Sequence, residues 1–105
     1  MRVQGKPGAQ VVHVGHRLDV GTVADIRPHL HDAVDSGTGD LIVDLSDLEM
    51  IDSTGLGVLV GTHRRALSAE RHLVLRGVPP RIMRVLAVTR LNRVLRVEVP
   101  AAAVA

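Results

Sequence analysis

Apolar residues in this chain fall into short clusters whose spacing alternates between that of strands and that of helices. Four segments have the length and pattern of strands: Gln10–Leu18, Leu41–Leu45, His72–Leu75 and Val94–Val99. The second is a nearly continuous apolar run, which is typical of a buried central strand. The first ten residues contain Gly5, Pro7 and Gly8 and predict a short strand or a loose arm followed by a turn.

Three intervening segments repeat apolar residues every three or four positions and are predicted to be helices. The first begins around Thr22–Val23 and ends at Ser36, the second begins at or just after Ser53, and the third runs from Pro79–Pro80 to about Arg90. Residues 46–50 are expected to be a connection.

The start of the first predicted helix carries two conflicting signals. Thr22 and Asp25 have the spacing of a capping box, in which each side chain accepts from the other residue's backbone amide. Pro28 follows at a position that a regular helix disfavours. We therefore expect either a distorted first turn or a regular helix that begins nearer Pro28.

The element order β-(β)-α-β-α-β-α-β predicts an α/β domain with a mixed β-sheet covered by helices. A chain of 105 residues has the size of one domain. We expect residues 1–100 to form that domain and residues 101–105 (AAAVA) to be a disordered tail.

Composition excludes several functional classes. Without Cys there is no disulfide, zinc thiolate or thiol nucleophile, and without aromatic residues there is no stacking platform for single-stranded nucleic acid. The arginines stand singly or as the pair Arg64–Arg65 with a net charge of +2, which favours a mixed, solvated surface over direct nucleic-acid binding. No apolar run is long enough to span a membrane and no targeting pattern is present, so a cytoplasmic protein is expected.

The stretch from Met50 to Leu59 (MIDSTGLGVL) interrupts the most apolar region with a carboxylate and two hydroxyls. Because a strand ends near Leu45 and a helix begins near Ser53, these groups lie at a helix N-terminus, where backbone amides lack partners. Asp52 or Ser53 as a simple helix cap is one interpretation.

The second interpretation is an anion site. A helix N-terminus favours negative charge, so a phosphate on Ser53 is compatible with folding. Gly55 and Gly57 fall in the first turn, where glycine is costly, and would leave the backbone bare to an approaching surface.

The segment IVDLSDLEMIDSTGLGVL, from Ile42 to Leu59, resembles the STAS domain of bacterial anti-sigma factor antagonists. The resemblance extends from about Val11 to Val99 and includes Leu18–Asp19, which matches the end of a Gly-Glu-Leu-Asp segment in that family. It implies a STAS-like fold, a mixed sheet covered by helices.

The resemblance also implies a function by partner switching. The unphosphorylated protein binds an anti-sigma factor that is a serine kinase and so frees a sigma factor. Phosphorylation of Ser53, with Thr54 as the alternative acceptor, blocks binding, and a serine phosphatase reverses it. The partner-binding residues implied by the motif are Asp19, Asp52, Ser53, Thr54, Gly55, Leu56 and Gly57.

The chain departs from the family pattern at several positions. His16 and Arg17 replace the family's Gly and Glu, so Arg17 reverses a charge close to the expected docking surface. Pro28 is unusual in the first helix, and Ala69-Glu70-Arg71 replaces a glycine-rich turn. None of these changes touches Ser53.

Other functions fit the residues less well. Ser53, Asp52 and His63 are triad residue types, but ten helical residues place His63 about 15 Å from Ser53, so no catalytic site is assigned. The pairs His29/His31 and His13/His16 are expected to be packed or solvated, and neither a metal nor a cofactor is assigned. The remaining alternative is a phosphorylation-independent STAS interaction subunit of a signalling or transport complex.

Overall fold

The computed structural model describes residues 2–6 and 9–98. Its main sheet has five strands. Within these residues the chain forms seven strands and three helices. The strands are β1 Arg2–Lys6, β2 Ala9–His13, β3 Arg17–Leu18, β4 Asp40–Asp44, β5 Met50–Ile51, β6 Leu73–Arg76 and β7 Arg96–Val97. The helices are α1 Val23–Ser36, α2 Ser53–Ser68 and α3 Pro80–Val88, and Leu91–Arg93 forms a short 3₁₀ turn.

The five strands lie in the order β1-β2-β4-β6-β7. β1 is antiparallel to β2, whereas the other neighbours are parallel. The predicted mixed sheet is therefore confirmed. Leu41, Ile42 and Val43 of β4 are all buried, which confirms that this run is the central strand.

The aliphatic core lies between the sheet and the helices. α1 contributes one apolar residue per turn or more, namely Val23, Ile26, Leu30, Ala33 and Val34. α2 packs against α1 and buries Val58, Leu59, Thr62 and Ala66. The apolar spacing of α1 therefore identified its buried face correctly, because an amphipathic helix turns its apolar stripe toward the core. In α2 the apolar positions at helical spacing are only partly buried, since Leu59 is buried whereas Leu67 is 48% exposed.

The predicted continuous strand Gln10–Leu18 is wrong. Gly15 has φ +99°, a left-handed conformation that ends β2 and redirects the chain. The chain re-enters a strand only at Arg17–Leu18, which pairs in parallel with β5 through Arg17–Met50 and Leu18–Ile51. Met50, assigned above to a connection, is thus part of a second, two-stranded sheet.

The predicted capping box at the start of α1 is also wrong. Thr22 has a helical φ/ψ and makes no side-chain cap bond. Its hydroxyl bonds to residues that precede the helix: it accepts from the Asp19 amide at 3.1 Å and lies 3.1 Å from the Arg17 carbonyl. The helix begins at Val23, so the alternative start near Pro28 is wrong, and the amides of Asp25 and Ile26 both donate to the Thr22 carbonyl.

The C-terminal segment is less regular than predicted. α3 ends at Val88 rather than Arg90, because Arg90 has φ +61° and its left-handed conformation terminates the helix. The predicted strand Val94–Val99 is reduced to Arg96–Val97. Val99 and the tail 101–105 lie outside the described residues, as do Pro7 and Gly8 of the predicted N-terminal turn, whereas the predicted N-terminal strand is present as β1.

Candidate functional site

The Asp52 carboxylate caps α2. Asp52 has an extended backbone, and one of its oxygens accepts from the Gly55 amide at 2.9 Å, while its carbonyl accepts from the Leu56 amide. This is the N-cap arrangement that satisfies amides left without helical partners. The cap interpretation of the sequence is confirmed for Asp52, and Ser53 is the first residue of the helix.

The second Asp52 oxygen reaches another part of the chain. It accepts from the Val20 amide at 3.0 Å, so one carboxylate joins the start of α2 to the loop between β3 and α1. The hydrogen bonds from Gly55 and then Val20 hold the pKa of the Asp52 carboxyl below its ordinary value of 3.8. Asp52 is therefore a fixed negative charge beside Ser53 at neutral pH.

Gly55 is required by packing within the chain. A Cβ added there would collide with the Leu18 carbonyl oxygen and lie 2.8 Å from the carbonyl carbon. Gly55 is buried, so the expectation that it leaves the helix start bare to a partner is wrong: β3 of the same chain occupies that space. Gly57 differs, because it is exposed and an added Cβ would have nothing within 4 Å.

Asp19 is a buried anchor of the adjacent loop. Its side chain is 5% exposed and accepts from Nε of Arg17 at 2.8 Å, Nη2 of Arg17 at 2.7 Å and the Gly21 amide at 3.0 Å. Its carbonyl accepts from the amides of Thr22 and Val23, at the start of α1. Asp19 therefore presents little surface to a partner, whereas Arg17, the other member of the ion pair, is exposed to solvent.

The surface around Ser53 combines polar groups with exposed apolar side chains. Ser53 is exposed, and Thr54 and Leu56 are half-buried. Val20, which Asp52 holds in place, is 73% exposed, and Met50 is 50% exposed. We call the group Val20, Met50, Asp52, Ser53, Thr54 and Gly57 the Ser53 surface. Exposed apolar side chains beside a fixed charge are suited to contact with another protein.

The helix geometry separates Ser53 from His63, the histidine that is nearest to it in sequence. Ser53 and His63 both lie on α2, ten residues apart, which corresponds to about 15 Å along the axis. Direct proton transfer between them is therefore excluded. Among the described residues no group of three or more His, Cys, Asp or Glu side chains is arranged to hold a metal ion.

The whole folded chain corresponds to a known domain. A family model described as the STAS domain matches residues 1–101. The chain belongs to the STAS family. The strand–Asp–Ser–helix arrangement around Ser53 lies within this match.

Curated relatives give the family a narrower context. The chain is 37% identical over 87 residues to an anti-sigma-B factor antagonist of Staphylococcus aureus, covering 83% of this chain and 81% of the relative. An anti-sigma-B factor antagonist of Staphylococcus epidermidis shows the same identity and coverage.

Solved structures share the fold. The anti-sigma factor antagonist from Mycobacterium paratuberculosis has a TM-score of 0.84 at 22% identity, covering 97% of this chain and 86% of the other. A STAS domain protein from Planctomyces limnophilus has a TM-score of 0.82 at 24% identity, with 97% and 92% covered. Unphosphorylated SpoIIAA has a TM-score of 0.71 at 18% identity, with 97% and 90% covered.

Two features of this STAS domain's site were missed by the sequence analysis. Val20 was not recognised as part of it, because it lies 33 positions before Ser53 and is positioned there by the Asp52 carboxylate. The Arg17–Asp19 ion pair was missed as well, although Asp19 directly follows β3 and a spacing of two in extended backbone places side chains on the same face. That spacing was the available signal.

Proposed function

We propose that this STAS domain is an anti-sigma factor antagonist that acts by partner switching. In its unphosphorylated form it binds an anti-sigma factor serine kinase through the Ser53 surface, which releases a sigma factor. Phosphorylation of Ser53 blocks this binding, and a serine phosphatase restores it. Since sigma factors act on RNA polymerase, the exchange takes place in the bacterial cytoplasm.

The observation that carries the proposal is the position of Ser53. Its side chain is exposed at the first residue of a 16-residue helix, where the partial positive charge of the helix N-terminus favours a phosphate. The fold can therefore accept the modification without rearrangement. Thr54 is half-buried and remains the alternative acceptor.

The same position explains how phosphorylation would prevent binding. A phosphate adds close to two negative charges next to the ionised Asp52. A partner that covers Val20 and Met50 would have to remove water from this charge cluster, which is costly without cations to pair with it. The switch therefore acts on the complex and leaves the fold intact. None of this requires catalysis by the chain itself.

To identify the phosphorylated residue, we would measure the intact mass of the protein isolated from its native host and map its peptides across residues 50–64. We expect one phosphate, on Ser53. A parallel reaction with the purified anti-sigma factor kinases of that host and ATP should label the wild type and Thr54→Ala, but not Ser53→Ala.

Two results would contradict the proposal. One is the absence of phosphate in every growth and stress condition combined with undiminished partner binding by Ser53→Asp. The other is labelling of Ser53→Ala to the same extent as the wild type. Either result would favour the phosphorylation-independent interaction subunit.

A further inference from the structure

Charge is strongly segregated along the chain. Nine of the eleven acidic residues lie at or before Asp52, whereas nine of the thirteen basic residues lie after it. Between Glu70 and Glu98 there are seven arginines, no lysine and no acidic residue. A mixed surface was expected because the arginines stand singly or as one pair. That criterion does not detect the separation of acidic from basic residues along the chain.

Most of these arginines are available at the surface. The exposed ones are Arg81, Arg84, Arg90, Arg93 and Arg96. The other two are used within the fold, since Arg71 is buried and Arg76 bonds Glu98 at 3.1 Å. Within the described residues no ion pair involves any of the five exposed side chains. We call residues 81–96 the arginine segment.

The first part of the arginine segment forms a defined stripe on α3. Arg81, Arg84 and Val88 are separated by three and four positions and therefore share one face of the helix. Ile82 and Leu86 are buried on the opposite side. The stripe is both basic and apolar, because Val88 is 79% exposed.

The composition of the arginine segment favours an acidic protein surface as its ligand. Arginine is enriched at protein interfaces and lysine is depleted, and the segment contains only arginine. Two exposed apolar side chains, Val88 and Val94, alternate with the cations. The chain has no aromatic residue that could stack on a base. These features fit a partner with Asp or Glu side chains better than nucleic acid.

A groove connects the arginine segment to the Ser53 surface. It has a volume of about 170 Å³ and is lined by Glu49, Met50, Ile51, Arg81, Ile82 and Val85. Met50 belongs to the Ser53 surface, and Arg81 belongs to the arginine segment. The Arg81 guanidinium donates to the Glu49 carbonyl at 3.2 Å. One partner can therefore contact both surfaces without crossing unrelated structure.

We propose that the protein that binds the Ser53 surface extends across this groove and places acidic side chains against the arginine segment. This inference rests on the proposed function for the identity of the partner, an anti-sigma factor kinase. The arginines attract the partner before contact, and Ser53 controls whether the complex forms. Charges at the edge of an interface mainly raise the association rate in this way.

The test is the association rate constant of purified host anti-sigma factor kinases with the double variant Arg84→Glu/Arg93→Glu. The matched control is Arg27→Glu/Arg64→Glu, which makes the same change of net charge at exposed arginines outside the segment. We expect about a tenfold decrease for the first variant at low salt and a change within about twofold for the control. The difference should shrink in about 0.5 M salt.

Several results would overturn the inference. Equal rates for the two variants would show that only net charge matters. Unchanged binding by Arg84→Glu/Arg93→Glu, with Ser53→Asp still impaired, would remove the arginine segment from the interface and leave the proposed function in place. If no kinase binds the wild type, the proposed function fails and this inference fails with it. Binding of duplex DNA or anionic vesicles through these arginines, without kinase binding, would identify another class of ligand.

Discussion

At two helix ends a charged side chain bonds to backbone groups, and the two ends differ in their exposure to solvent as well as in the sign of the charge. At the N-terminus of α2, the Asp52 carboxylate accepts from two amides at 2.9 and 3.0 Å beside the exposed Ser53. At the C-terminus of α1, the Arg71 guanidinium donates to the carbonyls of Ala33 and Val34 at 2.7 and 2.8 Å. Each charge is favourable where it lies, because the N-terminus of a helix carries a partial positive charge and its C-terminus a partial negative charge.

Burial gives these two similar arrangements different consequences. Arg71 is 3% exposed, and it also donates to the Gly39 carbonyl at 2.8 Å and to Oε1 of Gln10 at 3.2 Å. Its burial lowers the pKa of the guanidinium, yet every contact is made inside the fold. The α2 end remains open on one side. Changes at Arg71 should therefore alter folding, and changes at Ser53 should alter binding.

The largest expected loss of stability follows from Arg71→Met. The substitution removes the donors from several buried carbonyls, and we expect a decrease in the free energy of unfolding of about 3 kcal/mol or more. Arg71→Lys keeps the charge but cannot reproduce the planar fork of donors, so an intermediate loss is expected. Urea denaturation measures both. A wild-type midpoint for Arg71→Met would contradict the structural role.

The next largest effect compares two glycines at the α2 end. Gly55→Ala forces a Cβ against the Leu18 carbonyl and should destabilise the protein by about 1–3 kcal/mol. Gly57→Ala meets open space in a helical position and should stabilise it by up to about 1 kcal/mol. Thermal unfolding of both variants tests the pair. If they shifted stability equally, the close approach of β3 to α2 would be wrong.

A smaller effect is expected from Asp52→Asn. Because folding lowers the pKa of the Asp52 carboxyl, its contribution to stability is present above pH 3.8 and is lost as pH falls through the lower folded value. Asparagine can still cap the helix but does not titrate there. The wild type should therefore lose stability more steeply than Asp52→Asn between about pH 5 and pH 2.

The comparison with Asp52→Asn separates this group from the other carboxyls. The pKa values of Asp35 and Asp44 are also lowered in the folded protein, but both groups are present in the two proteins and cancel in the difference. Urea midpoints measured across this pH range give the result. Parallel curves for the two proteins would show that the carboxylate is not held by the amides of Gly55 and Val20.

The sequence was most informative where structure depends on neighbouring residues. The start of α2 was predicted, with Asp52 and Ser53 as the two candidate caps, because an N-cap side chain bonds to amides of the next few residues. The central position of Leu41–Val43 followed from an unbroken apolar run. The order of the three helices and of the strands of the main sheet was obtained in the same way, from periodicities that each occupy one short segment, whereas β3 and β5 were not predicted as separate strands.

Features that depend on distant residues were not predicted. Arg71 was recorded as a departure in a turn, although its guanidinium reaches across 37 and 38 positions to α1. Gly55 was interpreted as open to a partner because its contact, Leu18, lies 37 positions earlier. A pattern of residues cannot show which surface of the chain will lie opposite another.

The most direct test of the contrast between the two helix ends uses one sample, the chain phosphorylated on Ser53. Its free energy of unfolding and its affinity for the anti-sigma factor kinase should both be measured against the unmodified chain. We predict unchanged or slightly higher stability, with affinity lowered about 100-fold or more, equivalent to about 2.7 kcal/mol. Equal affinity, or a loss of affinity that accompanies unfolding, would contradict a charge switch at an exposed helix N-terminus.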